Sequence, residues 1–182
     1  IGEDARVPKP PRGHEWGQVI HDHEATWLAS WKENINNDTK YVWLGQDAKF
    51  KQNSDEGKFE KARLLKNVMP EIRETNINNI QTVTQDNKLE QMAVALWLID
   101  NLVLRIGNEK GSDEADTVGV CSLRVEHIKL HQGNEVTLDF LGKDSIRFYK
   151  KFKVPKEVYD KFKEFIKGKK PKEMLFDMVQ PK

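Results

Sequence analysis

Between Leu89 and Val103 the chain has almost no polar face. Leu89, Met92, Leu96, Ile99 and Val103 recur at helical spacing, and Ala93, Trp97, Leu98 and Leu102 fill the faces between them. A helix apolar nearly all round belongs in a core, so the rest of the chain is expected to wrap it. Gly107 is a suitable stop. That reading puts Arg105 in the last helical turn, where the helix dipole favours a cation.

Two other periodicities flank this helix. Trp27, Ala29 and Trp31 alternate with Thr26, Leu28 and Ser30, and Tyr41 and Trp43 alternate with Val42 and Leu44. Period two with aromatics predicts short antiparallel strands, joined through the turn-rich residues 34–39. Ser54 is placed to cap a helix starting at Asp55, with Phe59, Ala62, Leu65, Met69 and Ile72 facing inward. Pro70 should kink or end that helix, and the polar residues 76–87 read as a loop or frayed helix. Residues 123–130 and 136–141 read as strands. Gly142-Lys143 fits the two central positions of a tight hairpin turn, with Ile146 and Phe148 continuing beyond it. Pro155 opens a last helix with Val158, Phe162, Phe165 and Ile166 inward, and Gly168 closes it. The expected class is α+β, with short antiparallel strands and three main helices.

At 182 residues the chain can bury a core. No apolar run approaches the roughly 18 residues of a membrane span, and the mean hydropathy is -0.73, so no membrane partner is expected. No secretory leader is visible. The chain opens on Ile1 through a Pro-rich stretch and reads as excised from something longer. Its one cysteine, Cys121, has no internal partner and fits a reducing compartment. The net charge of +1 hides an asymmetry. From Lys143 to Lys172 there are 12 Lys/Arg against 4 Asp/Glu. Such a segment suits a phosphate backbone, though from charge alone a solvated lysine-rich face is the commoner explanation.

Two residues stand out chemically. Arg105 precedes a glycine-containing polar loop with Asn108 and Lys110, which can present a cation and several donors to a phosphate. Lys143 at a hairpin tip can reach a groove or pass a proton to a leaving oxygen. From spacing alone, a dipole partner and an exposed turn lysine are the commoner explanations of the two. His21 and His23 with Asp22 look superficially metal-like, but alternate strand positions explain them, as they do His127 and His131, and no metal is expected.

Longer matches carry a family resemblance. Leu-Arg-Ile-Gly-Asn-Glu-Lys at 104–110, Ala115-Asp116-Thr117-Val118-Gly119, Val-Cys-Ser-Leu-Arg-Val-Glu-His at 120–127 and Phe-Leu-Gly-Lys-Asp-Ser-Ile-Arg at 140–147 resemble the catalytic core of eukaryotic type IB DNA topoisomerases. So do Ala5-Arg6-Val7-Pro8, Gly13-His14-Glu15-Trp16, Thr26-Trp27-Leu28 and Phe59-Glu60-Lys61-Ala62-Arg63. The resemblance spans nearly the whole chain. It implies part of the tyrosine recombinase and type IB topoisomerase catalytic fold, with residues 1–50 a strand-rich opening region, 51–120 a helical region bearing the first active-site arginine, and 121–182 the lysine hairpin and a helix.

By the same resemblance, Arg105 holds the scissile phosphate and Lys143 protonates the departing 5′ oxygen. Duplex DNA is the implied partner. Gly13, Arg105, Ile106, Gly107, Asn108, Glu109, Lys110, Thr117, Lys143 and Asp144 are the implied contacts. Ile106 departs from the family's usual alanine. The chemistry needs no ATP, metal or other cofactor, and the implied compartment is the nucleus or the mitochondrion. The family's second arginine, histidine and nucleophilic tyrosine lie beyond the point matching Leu175-Phe176-Asp177. A further C-terminal part is therefore an implied partner, and Tyr41, Tyr149 and Tyr159 read as packed or half-buried rings. A catalytically dead DNA-binding or scaffolding module of the same fold, or a tyrosine recombinase relative, remain the alternatives.

Overall fold

The computed structural model describes residues 6–22, 24–82, 86–107 and 116–180. The chain divides into two compact units, Ile1–Asn67 and Val68–Lys182. In the first, β1 (Trp27–Lys32) pairs antiparallel with β2 (Thr39–Trp43), with a bulge between Trp27 and Ala29. Glu33 and Asp38 close the turn between them. Tyr41 packs against Trp27 and Trp43, with ring centroids 5.7 and 5.3 Å apart. His21 and Asp22 lie before β1, outside any strand, and His23 is outside the described residues.

The boundary between the units falls inside α1 (Lys49–Gln81). This helix starts six residues before the expected Asp55 and runs through Ser54 and Pro70. The expected inward stripe is not buried: Phe59 and Leu65 are exposed, and the helix buries Asn76 and Ile80 instead. Pro70 lacks the N–H that would bond back one turn, but the turns after it are held by tertiary bonds. Arg73 forks onto Asp100 with two bonds of 2.8 Å, and the buried Asn76 amide donates to Ala93 O at 3.1 Å. Those partners keep residues 76–81 helical where local polarity suggested a loop.

The second unit holds the core. α2 (Asn87–Leu102) is capped by Asp86, whose Oδ1 accepts from the Lys88 and Leu89 amides. It is less enclosed than expected. Ala93, Val94, Ala95 and Leu98 are buried, while Met92 and Leu96 reach solvent. It stops before Gly107, with Val103 as C-cap in the left-handed region (φ 54). Arg105 is therefore past the helix, not in its last turn.

Residues 123–127 are not strand. Two 3-10 turns, Val120–Ser122 and Val125–His127, lead into β3 (Ile128–His131). β3, β4 (Glu135–Leu141) and β5 (Arg147–Lys153) form an antiparallel sheet in that order. Val136, Leu138 and Phe140 line its inner face. α3 (Lys156–Ile166) follows Pro155 and buries Val158, Phe162 and Phe165, and Gly168 (φ 77) ends it as expected. Among the described residues the architecture is α+β: three α-helices and two small antiparallel sheets.

Candidate DNA-phosphate site

The backbone around Arg105 is fixed by a crossing. The Val120 and Cys121 amides donate to Arg105 O and Ile106 O, both at 2.8 Å. Two residues earlier, the Val118 amide donates to Leu141 O at 2.6 Å. Leu141 ends β4 and immediately precedes the Lys143 loop. One short segment, 118–121, therefore ties the backbone at Arg105 to the lysine hairpin.

That hairpin is not the expected two-residue turn. Leu141 pairs with Arg147, leaving a five-residue loop closed by Gly142 N donating to Ile146 O at 2.8 Å. The tight turn needs a positive φ at Gly142, and Gly142 is extended (φ -86). The left-handed positions are Asp144 (φ 60) and Ser145 (φ 58). Ile146 lies in the loop and is exposed, while Phe148 is in β5. Lys143 stays at the exposed tip.

Arg105 and Lys143 line one concavity of about 230 Å³, with Gly119, Phe140, Gly142 and Arg147 among its walls. Among the described residues, neither cation forms an ion pair. An apolar wall behind two uncommitted cations strengthens their pull on a phosphate.

The other implied contacts fall as follows. Ile106 and Gly107 directly follow Arg105 in the irregular segment after α2. Asp144 neighbours Lys143, and Thr117 is half-buried beside Val118. Gly13 belongs to the first unit, in a left-handed turn (φ 85) where the His14 amide reaches Pro11 O. Asn108, Glu109 and Lys110 lie outside the described residues. Among the described residues, no group of three His, Cys, Asp or Glu is arranged to hold a metal. Tyr159 is buried and donates to His131 O at 2.6 Å, but Tyr149 is 64% exposed, so it is not packed as expected.

Sequence reasoning passed over two participants. Arg147 stands at the end of the lysine motif and shares the concavity, its guanidinium forked onto Asp139 at 2.8 and 2.7 Å. Its place in the motif was the available signal. Gly119, at the end of the 115–119 match, is the other, and a Cβ on it would run into the Gly107 backbone.

The family model described as "Eukaryotic DNA topoisomerase I, catalytic core" matches residues 47–182, and that described as "Eukaryotic DNA topoisomerase I, DNA binding fragment" matches residues 1–44. Proteins named DNA topoisomerase 1 are similar throughout. The Candida albicans protein is 47% identical over the whole chain, the human one 49% over 97% of it, and the Drosophila melanogaster one 46% over 98%. The chain spans 23%, 24% and 19% of those proteins respectively. With both of its parts matched and nearly half of its residues shared with these relatives, the chain belongs to the eukaryotic DNA topoisomerase I family.

Proposed function

We propose that this chain supplies two phosphate-activating groups to an enzyme that relaxes supercoiled DNA by transient single-strand cleavage and religation, without ATP. The observation that carries this reading is the convergence of Arg105 and Lys143 on one concavity. In-line displacement at phosphorus develops charge on the equatorial oxygens and on the leaving 5′ oxygen. A guanidinium offers paired donors to the first, and an ammonium offers a proton to the second. Arg105 holds the scissile phosphate. Lys143 protonates the departing oxygen and, in reverse, accepts its proton on religation.

The nucleophile, which leaves a 3′-phosphotyrosine, comes from a further segment. None of Tyr41, Tyr149 and Tyr159 lines the concavity. Duplex DNA and that segment are the proposed partners, and Gly13, Ile106, Gly107, Thr117 and Asp144 the proposed contacts besides the two cations. The same holds for Asn108, Glu109 and Lys110 by resemblance to the family.

The test is duplex binding by the 182-residue chain across a salt series, with plasmid relaxation assayed alongside. Binding that weakens with salt, without relaxation, supports the reading. Relaxation by the chain alone overturns the assignment of the nucleophile to another segment. No binding overturns the proposed DNA contact.

A further inference from the structure

Arg124 roots in the buried core of the second unit. Leu123 beside it is fully buried, and its carbonyl accepts from the amide of the equally buried Leu175 at 2.7 Å. The Val125 amide donates to Glu173 O at 3.0 Å, so both neighbours of Arg124 are pinned. From this base the side chain reaches back eight residues. Nη1 and Nη2 donate to Asp116 Oδ1 and Oδ2 at 3.0 and 2.7 Å, and Nε donates to Glu126 Oε1 at 2.6 Å.

The pair is lopsided. The Arg124 side chain is 22% exposed, while that of Asp116 is 68% exposed. Ion pairs that open to solvent add little to stability, about 0–1 kcal/mol. A planar fork nevertheless fixes direction as well as distance. What it fixes here is the start of a segment that matters. Asp116 is one residue before Thr117, and the Val118 amide on the other side is held by Leu141 O. Thr117 is thus bracketed by a side-chain clamp and a backbone bond, next to the segment that carries Gly119 into the Arg105–Lys143 concavity.

We propose that Arg124 is a positioning residue for duplex engagement, its guanidinium clamping Asp116 so that Thr117 is presented to the DNA backbone beside Arg105 and Lys143. This rests on the DNA-binding reading above. The clamp leaves the cations themselves untouched. It sets where a neutral donor sits relative to them, and a phosphate contact by a hydroxyl positions the duplex without adding charge.

The sign of one substitution separates this role from simple charge. Asp116→Asn removes a carboxylate near an anionic ligand, so electrostatics alone predicts tighter binding. The clamp predicts weaker binding. In a titration of the 182-residue chain with a short labelled duplex, Asp116→Asn is expected to lose about 5–10-fold in affinity, the scale of a misplaced phosphate contact. Arg124→Lys keeps the charge but not the fork and should lose a similar factor. The double variant should be no weaker than either single one. The salt slope should stay that of the unaltered chain, because no cation is withdrawn. Thermal midpoints of all three, measured in parallel, show that the chain remains folded. Unchanged or tighter binding by Asp116→Asn, or losses that add in the double variant, overturns the clamp alone. Failure of the unaltered chain to bind the duplex overturns the clamp and the DNA-binding reading together.

Discussion

Gly107 and Gly119 cross so closely that a Cβ built on Gly119 would lie 2.3 Å from both Cα and N of Gly107. The reverse addition fares little better, at 2.9 Å from the Gly119 Cα, and Gly107 also adopts φ +88. The crossing is what lets Arg105 O and Ile106 O meet the Val120 and Cys121 amides. These two glycines therefore set the position of the arginine.

Gly119→Ala is expected to be severe, because the obstructing atoms are backbone and cannot rotate away. A loss of about 3 kcal/mol is appropriate for such overpacking, read as a lower urea midpoint. Duplex binding should fall with it, since the Arg105 backbone must move. An alanine variant with the stability of the unaltered chain would mean that the crossing is looser than the geometry requires.

Val103 offers an opposite case. It is a β-branched residue at a left-handed position (φ 54), 88% exposed, and it caps α2. The left-handed region costs an ordinary L-residue about 1–2 kcal/mol, while Asn tolerates it. Val103→Asn should therefore stabilise the chain by about 1 kcal/mol, seen as a higher midpoint in urea. A neutral or destabilising result would show that Val103 packs in a way its exposure does not reveal.

How far the sequence reveals this fold depends on the range of the interactions that decide each element. α3 was legible because Pro155, the Val158–Phe162–Phe165 spacing and Gly168 agree locally. The β1–β2 pair was legible from aromatic alternation. The body of α1 was legible too, but its continuation beyond Pro70 was not, because Asn76 and Arg73 take their partners from α2. Nor was the end of α2, since Gly107 is kept for the crossing and leaves the cap to Val103. Arg105 and Lys143 were indistinguishable from common surface residues by spacing, and only the family resemblance singled them out. Their meeting in one concavity is a tertiary fact, as is the reach of Arg124 to Asp116.

Among the described residues, Lys161 and Glu90 form a strongly buried ion pair, 2.9 Å apart with side chains 13% and 6% exposed. It joins α3 to α2. Glu90→Ala leaves Lys161 with Glu164 alone, whose carboxylate is mostly in solvent. Stranding a buried charge costs about 3–5 kcal/mol, and thermal unfolding should show a loss near the lower end because Glu164 remains. Replacing both residues by apolar ones, Glu90→Leu with Lys161→Met, should cost less than Glu90→Ala alone, because no charge is then stranded. If Glu90→Ala alone is harmless, water reaches Lys161 and the pair is not a dry one.

His127 gives the chain a pH dependence of definite sign. Its Nδ1 accepts from the Arg124 amide at 3.0 Å, which puts the proton of the neutral ring on Nε2. The approach of Arg124 Nη2 to Nε2 at 3.1 Å is then a meeting of two donors and not a hydrogen bond. Burial, and next the Arg124 charge, hold the imidazole below its ordinary value of 6.5, against the opposing pull of Glu126, Asp116 and Asp139. Because the folded pKa is depressed, the unfolded chain binds the proton first as pH falls. Stability is full above about 6.5 and declines below it, towards and through the folded pKa. The carboxylates paired with cations, Asp100, Asp139 and Asp177, are held below their ordinary value of 3.8 and add a second loss only in stronger acid. Urea midpoints taken between pH 8 and pH 5 should therefore fall before Asp100, Asp139 and Asp177 titrate. In His127→Gln, whose side chain does not titrate, the slope through that range should flatten, although the whole curve will sit lower. A slope that survives the substitution would assign the proton uptake to another group.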